Sequence, residues 1–153
     1  WDGERLTANW ALEDYYARRR QLADRTTNRL EAPAVAPWDE LAEPENPANE
    51  VLVQAWLNAG SIHGHDAVTF DDEWDSHPCG QVIDVENTTV DDLFSAGDRV
   101  AFHATQTGTY VGGAGKDDRI GLPATLRSAG IVTIADGVIS SGRVIRDRSG
   151  LFA

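Results

Sequence analysis

An Asp-Gly pair, Asp136-Gly137, lies between two β-rich runs, and it limits what this chain can fold into more tightly than any other feature. A type I′ turn needs positive φ at both central residues, which Asp and Gly tolerate, so residues 122–134 and 138–145 are predicted to be adjacent antiparallel strands. A third run, Arg99 to Tyr110, is rich in β-branched and aromatic residues and lacks proline. It is bounded by Gly97-Asp98 and Gly112-Gly113, as a strand between two turns is. An antiparallel sheet is therefore expected within residues 97–152, with the segments upstream packed over it.

The upstream part divides by composition. Ala11 to Leu30 is rich in Ala, Leu, Arg and Glu and contains no Gly or Pro, which predicts a helix with Leu12, Tyr15, Tyr16, Arg19 and Leu22 on one side. The Arg18-Arg19-Arg20 run then falls largely on the opposite, solvated face and is assigned no function. Pro33, Pro37, Pro44 and Pro47 predict an extended connector over residues 32–47. Ala48 to Ala59 carries Val51, Leu52, Ala55, Trp56 and Ala59 at helical spacing, with Asn46 and Asn49 as candidate caps and Gly60 as the stop. This helix is expected to lie on the sheet. The division is thus residues 1–31, an N-terminal strand and helix; residues 32–47, the connector; and residues 48–153, an α+β core.

Trp1-Asp2-Gly3 followed by Asp14 echoes Asp136-Gly137 followed by Asp147, which suggests an internal repeat. On that reading the chain opens inside the last hairpin of a preceding copy. The competing reading is coincidence, because Asp-Gly pairs are common.

Composition removes several function classes. The net charge of −12 opposes binding to a phosphate backbone, which is held by Lys and Arg. The single cysteine, Cys79, excludes an intrachain disulfide framework. His63-Gly64-His65 beside Asp71, Asp72, Glu73 and Asp75 invites a metal reading. Flexible-loop histidines seldom form a preformed site, however, and none is assigned. No apolar run is long enough for a membrane-spanning helix, so a cytoplasmic location is the expectation.

The order of several short motifs carries a resemblance. Val90-Asp91-Asp92-Leu93, Gly97-Asp98-Arg99-Val100-Ala101, Thr107-Gly108-Thr109, Asp136-Gly137-Val138-Ile139 and then Asp147 resemble SnoaL-like polyketide cyclases of the nuclear transport factor 2-like superfamily. The likeness covers roughly the last two-fifths of the chain and extends loosely over Asp71-Asp72 to His77-Pro78. It implies an α+β fold in which a curved antiparallel sheet is wrapped by helices into a cone with the ligand inside. It also implies a small hydrophobic polyketide-like or terpenoid-like ligand, acted on without cofactor or metal.

In such cyclases the aspartate matched by Asp147 moves protons during an intramolecular aldol closure. That chemistry needs a base near the C–H beside a carbonyl and a donor for the enolate oxygen. Strand alternation sets Arg143, Ile145 and Asp147 on one face and Val144 and Arg146 on the other. If the first set faces the cavity, Asp147 and His103 are the candidate catalytic residues. Tyr110, Arg143, Trp74, His77 and Asp72 are then the candidate substrate-binding residues. The plainer reading of Asp147 is a strand-end carboxylate paired with Arg146 or Arg148, and that of His103 is a solvent-facing strand residue.

This chain departs from the family at Gly130, where an inward polar residue is usual, and at Arg143, which replaces an aromatic. An Asp-Arg site is closer to limonene-epoxide hydrolases of the same superfamily, but their second aspartate has no clear match. The alternative is a non-catalytic ligand-binding or dimerisation module of the same fold, with a second copy or a neighbouring repeat as its partner.

Overall fold

The computed structural model describes residues 11–12, 15–25, 43–60, 62–63, 65–70 and 80–153. In order these form helix α1 (Tyr15–Asp24), helix α2 (Pro47–Asn58), and strands β1 (Val68–Phe70), β2 (Ile83–Ala96), β3 (Arg99–Tyr110), β4 (Pro123–Ala135) and β5 (Val138–Arg146), with one 3₁₀ turn at Asp117–Arg119. The strands make one five-stranded sheet in the order β1-β5-β4-β3-β2. It is α+β and mostly antiparallel; the exception is the short edge strand β1, which runs parallel to β5.

The predicted hairpin is present. Asp136 and Gly137 have φ of 52° and 75°, and Ala135 pairs with Val138 across them. β3 begins and ends where its flanking glycines place it. The long strand β2 carries one extra residue at Glu86 and another at Asp91, where its register against β3 shifts. Such bulges bend and twist a strand, so β2 curves along its length.

Helix α2 lies across β2 and β3 as expected, with Val53 and Leu57 fully buried. Burying each of these side chains contributes roughly 1.5–3 kcal/mol. Polar contacts tie its N-terminus to the β2–β3 turn. Asn46 caps the helix, its side chain accepting from Asn49 N–H, while Asn49 Nδ2 donates to the Gly97 carbonyl at 3.2 Å. Glu50 Oε1 accepts from both Ser95 N–H, at 3.0 Å, and Ser95 Oγ, at 2.7 Å.

Helix α1 differs from its expected amphipathic form. Leu22 and Tyr15 are exposed, and α1 meets the body of the protein through Tyr16, which packs near Gly115 and lies 4.7 Å from the Arg148 guanidinium. No helix among the described residues is long and apolar enough to cross a membrane.

Candidate functional site

The inner face of the sheet, the face that α2 covers, carries two apolar clusters. One joins Val53 and Leu57 of α2 to Val100, Phe102 and Ala104 of β3, Val132 and Ile134 of β4, and Ile139 and Val144 of β5. The other gathers Val82, Ile83, Tyr110, Ala114, Ala124, Leu126 and Leu151 at the far end. Between them runs a belt of buried polar side chains: Gln106 on β3 at 2% exposure, Ser128 on β4 at 0% and Arg146 on β5 at 2%.

Strand register places these residues side by side. Ser128 is the Cα partner of Ala104 on one side and of Arg146 on the other, and Gln106 pairs with Thr88 and Leu126 in the adjacent row. Gln106 Nε2 donates to Thr88 Oγ1 at 3.3 Å. Arg146 Nη1 donates to the Gly80 carbonyl at 3.2 Å, and its guanidinium lies 5.2 Å from the Phe70 ring centroid. Ser128 Oγ and Trp56 Nε1 are buried with no hydrogen-bond partner among the described residues. Leaving a buried hydroxyl unsatisfied costs about 1–3 kcal/mol. Ser128→Ala is therefore expected to raise the stability of the ligand-free protein by about 1 kcal/mol in urea denaturation.

His63 follows α2 and shares this electrostatic environment. Burial holds its imidazole below the usual value of 6.5, the Arg146 cation pushes it further down, and Asp84 partly opposes both. The neutral ring is thereby favoured in the folded protein. The unfolded chain takes up this proton more readily, so the stability contribution of His63 is complete above pH 6.5 and is lost as pH falls from there through the lower folded value. His63→Gln is expected to remove that part of the pH dependence, seen as a smaller drop in urea midpoint between about pH 7.5 and about pH 5.

The structure distributes the sequence-predicted residues differently from expectation. On β5 beyond Ser140 the residues facing the core are Val144 and Arg146, whereas Arg143 is exposed. The cause is an extra residue, Ser140: Ile134 pairs with Ile139, but Thr133 pairs with Ser141, so the alternation reverses beyond the hairpin. Ser140 Oγ donates to the Thr133 carbonyl at this bulge.

Asp147 lies one residue past the strand, half-buried. Its Oδ1 accepts from Gly150 N–H at 2.9 Å and its own N–H donates to the Arg127 carbonyl at 2.8 Å, so it shapes the C-terminal turn. His103 is on the outer face, opposite Phe102 and Ala104, with Nδ1 3.5 Å from Asp91 Oδ2. Asp147 and His103 thus do not converge on one inner surface. Tyr110 does face inward, fully buried beneath Phe152, with its hydroxyl oxygen accepting from Ala114 N–H at 3.0 Å. Asp72, Trp74 and His77 lie outside the described residues.

Gly130 faces inward, as the resemblance implied. A Cβ there would come within 2.8 Å of both Phe102 Cζ and the Arg143 carbonyl oxygen, so the aromatic ring occupies the room that an inward polar side chain would need. Arg146, Ser128 and Gln106 were missed in the sequence reading. The signal was present in β3 and β4, where Val100, Phe102 and Ala104 run into Gln106, and Val132 and Leu126 flank Ser128 in the same inward phase.

No group of three or more His, Cys, Asp or Glu side chains among the described residues is placed to hold a metal ion. Chemically, the belt sets an amide, a hydroxyl and a guanidinium between two apolar clusters.

No protein-family model matches the chain, and no curated protein matches it. Among solved structures, the crystal structure of an IdmH 96-104 loop truncation variant is similar at 18% sequence identity and a TM-score of 0.46, covering 69% of this chain and 96% of that one.

Proposed function

We propose that this chain is a SnoaL-like binding protein for a small, largely hydrophobic polyketide-like or terpenoid-like molecule, held against the inner face of the sheet. The observation that carries this reading is the buried polar belt that divides the apolar core at Ser128 and Arg146. An apolar surface with a few convergent polar groups is the usual form of a small-molecule site. A core built for stability alone would place an aliphatic side chain at Ser128, because an unsatisfied buried hydroxyl is destabilising.

The test uses the neutral fluorescent probe N-phenyl-1-naphthylamine. Its emission is expected to rise on addition of the protein, and the rise is expected to be unchanged in Asp147→Asn and His103→Ala. No rise with the folded wild-type protein would reject the reading. Loss of the rise in either variant would return the site to those residues.

One observation favours a catalytic version of the same site. A neutral imidazole at His63, beside the Arg146 cation, supplies a base and an electrostatic partner for an enolate, the two requirements of a cofactor-independent aldol closure. On this version His63 takes the role that the resemblance gave to Asp147. Protein-dependent exchange of the α-protons of 1-tetralone for deuterium, lost in His63→Gln and kept in Asp147→Asn, is the expected signature. Exchange that persists in His63→Gln would leave the binding reading alone.

A further inference from the structure

The outer face of the sheet departs from the pattern of a face turned to water. Cross-strand register sets Phe94, Ala101, Ile131 and Arg143 in one row across β2, β3, β4 and β5, and His103, Ala129 and Ile145 in the next. Phe94 is 63% exposed and Ile131 55%, while α2 packs on the opposite face. A solvated sheet face ordinarily carries polar side chains, and an exposed apolar patch with a charged rim marks a contact surface. Ala101 and Ala129 keep the middle of the patch low, so a second sheet can pack on it at about 10 Å.

Charge on this face is divided by sign. β2 presents Glu86, Asp91 and Asp92 and has no basic residue, whereas Arg127 on β4 and Arg143 on β5 are exposed. A face laid on a copy of itself has its two-fold axis in the plane of contact, either along the strands or across them. An axis along the strands, between β3 and β4, sets β2 over β5 and β3 over β4 of the second copy. Acids then meet arginines, and the small Ala101 meets the large Ile131. An axis across the strands sets β2 over β2 and β4 over β4, so that like charges meet, which is unfavourable. Each copy has a net charge of −12 and repels the other at long range, so the local pattern of charge decides the orientation.

The extent of the face is adequate. β3 and β4 are 12 and 13 residues long, and four strands about 4.8 Å apart at about 3.4 Å per residue span on the order of 700 Å², close to the ~800 Å² that each partner gives to a standard interface.

We propose that the outer face is a self-association surface on which two copies pack sheet to sheet about a two-fold axis running along the strands between β3 and β4. Ile131 of each copy sits over Ala101 of the other, and Arg127 faces the acids of β2. The interface lies on the side of the sheet opposite the ligand belt and does not depend on that reading.

Sedimentation velocity on the chain at about 100 μM is expected to show a dimer. Ile131→Glu puts a carboxylate in the apolar centre and is expected to give a monomer. Val51→Glu, at a site 70% exposed on α2, is expected to leave the dimer intact. Arg127→Glu sets a carboxylate against the β2 acids and is expected to weaken the dimer about tenfold. Circular dichroism of the same samples establishes that each variant is folded.

A monomeric wild-type protein, a dimer that survives Ile131→Glu, or dissociation by Val51→Glu would overturn the interface. Unchanged or tighter dimerisation in Arg127→Glu would overturn the orientation, because relief of repulsion is the outcome where β4 lies over β4.

Discussion

Replacing Arg146 with alanine is expected to lower stability by about 3 kcal/mol, because it removes a long buried side chain, its contact with the Phe70 ring and the donor to the Gly80 carbonyl together. The change also removes a positive charge that adds to burial in disfavouring the protonated His63 imidazole, so the His63 pKa should rise. Urea denaturation measures the first effect and a proton NMR titration of His63 the second. Arg143→Ala is the matched comparison. Arg143 is only three positions away along the same strand but exposed on the other phase, so its loss should change stability by less than about 0.5 kcal/mol. The contrast between the two arginines reads out directly which phase of β5 faces the core.

Gly108→Ala should be comparably damaging for a different reason. Gly108 pairs with Val85 where β2 bulges at Glu86, and a Cβ added there would run into the Asp84 carbonyl oxygen and come within 3.1 Å of Glu86 N. These are backbone atoms of the partner strand, so the clash can be relieved only by separating β2 from β3. A loss of about 3 kcal/mol is expected in the same denaturation assay, with some loss of binding because Thr88 and Gln106 sit one turn of the pleat away. Gly80→Ala, at a position where a Cβ would meet nothing within 4 Å among the described residues, should be nearly neutral. The close approach, and not the mere loss of a glycine, is what the comparison isolates.

Much of the sheet was legible because local chemistry determined it. Asp136-Gly137 could only make a tight turn with positive φ, and Arg99–Tyr110 was closed off by turn residues on both sides. Helix α2 was legible from its apolar spacing, its Asn cap and Gly60. What was not legible traces to extra residues. A bulge is an insertion into a pairing register, and nothing in Ile139-Ser140-Ser141 announces that Ser140 is skipped. That single residue reversed the inward phase of β5, so that Arg146 and not Arg143 faces the core. The same difficulty hid the full extent of β2, whose two bulges break the alternation that marks a strand.

The candidate site was therefore less legible than the fold. Asp147 stood out as the terminal carboxylate of a recognised motif order, yet in the folded chain its oxygen is committed to Gly150 N–H. His103 stood out as a polar residue in mid-strand, and the bulge at Asp91 supplies it with a carboxylate neighbour on the outer face. Ser128 and Gln106 attracted no attention because each is an ordinary polar residue in an ordinary strand. Their importance arises only when β3, β4 and β5 are aligned and the three inward polar positions fall together.

On the proposed reading, ligand is held on the inner face of the sheet at the Ser128–Arg146 belt. A heteronuclear NMR titration of the labelled protein with N-phenyl-1-naphthylamine tests it most directly. The largest shift changes are expected at the Ser128 amide, the Gln106 side-chain amide and the Arg146 Nε–H. The outer-face residues Asp91, His103 and Thr105 should remain still. Changes concentrated on those three outer-face residues, with the belt unmoved, would contradict the account.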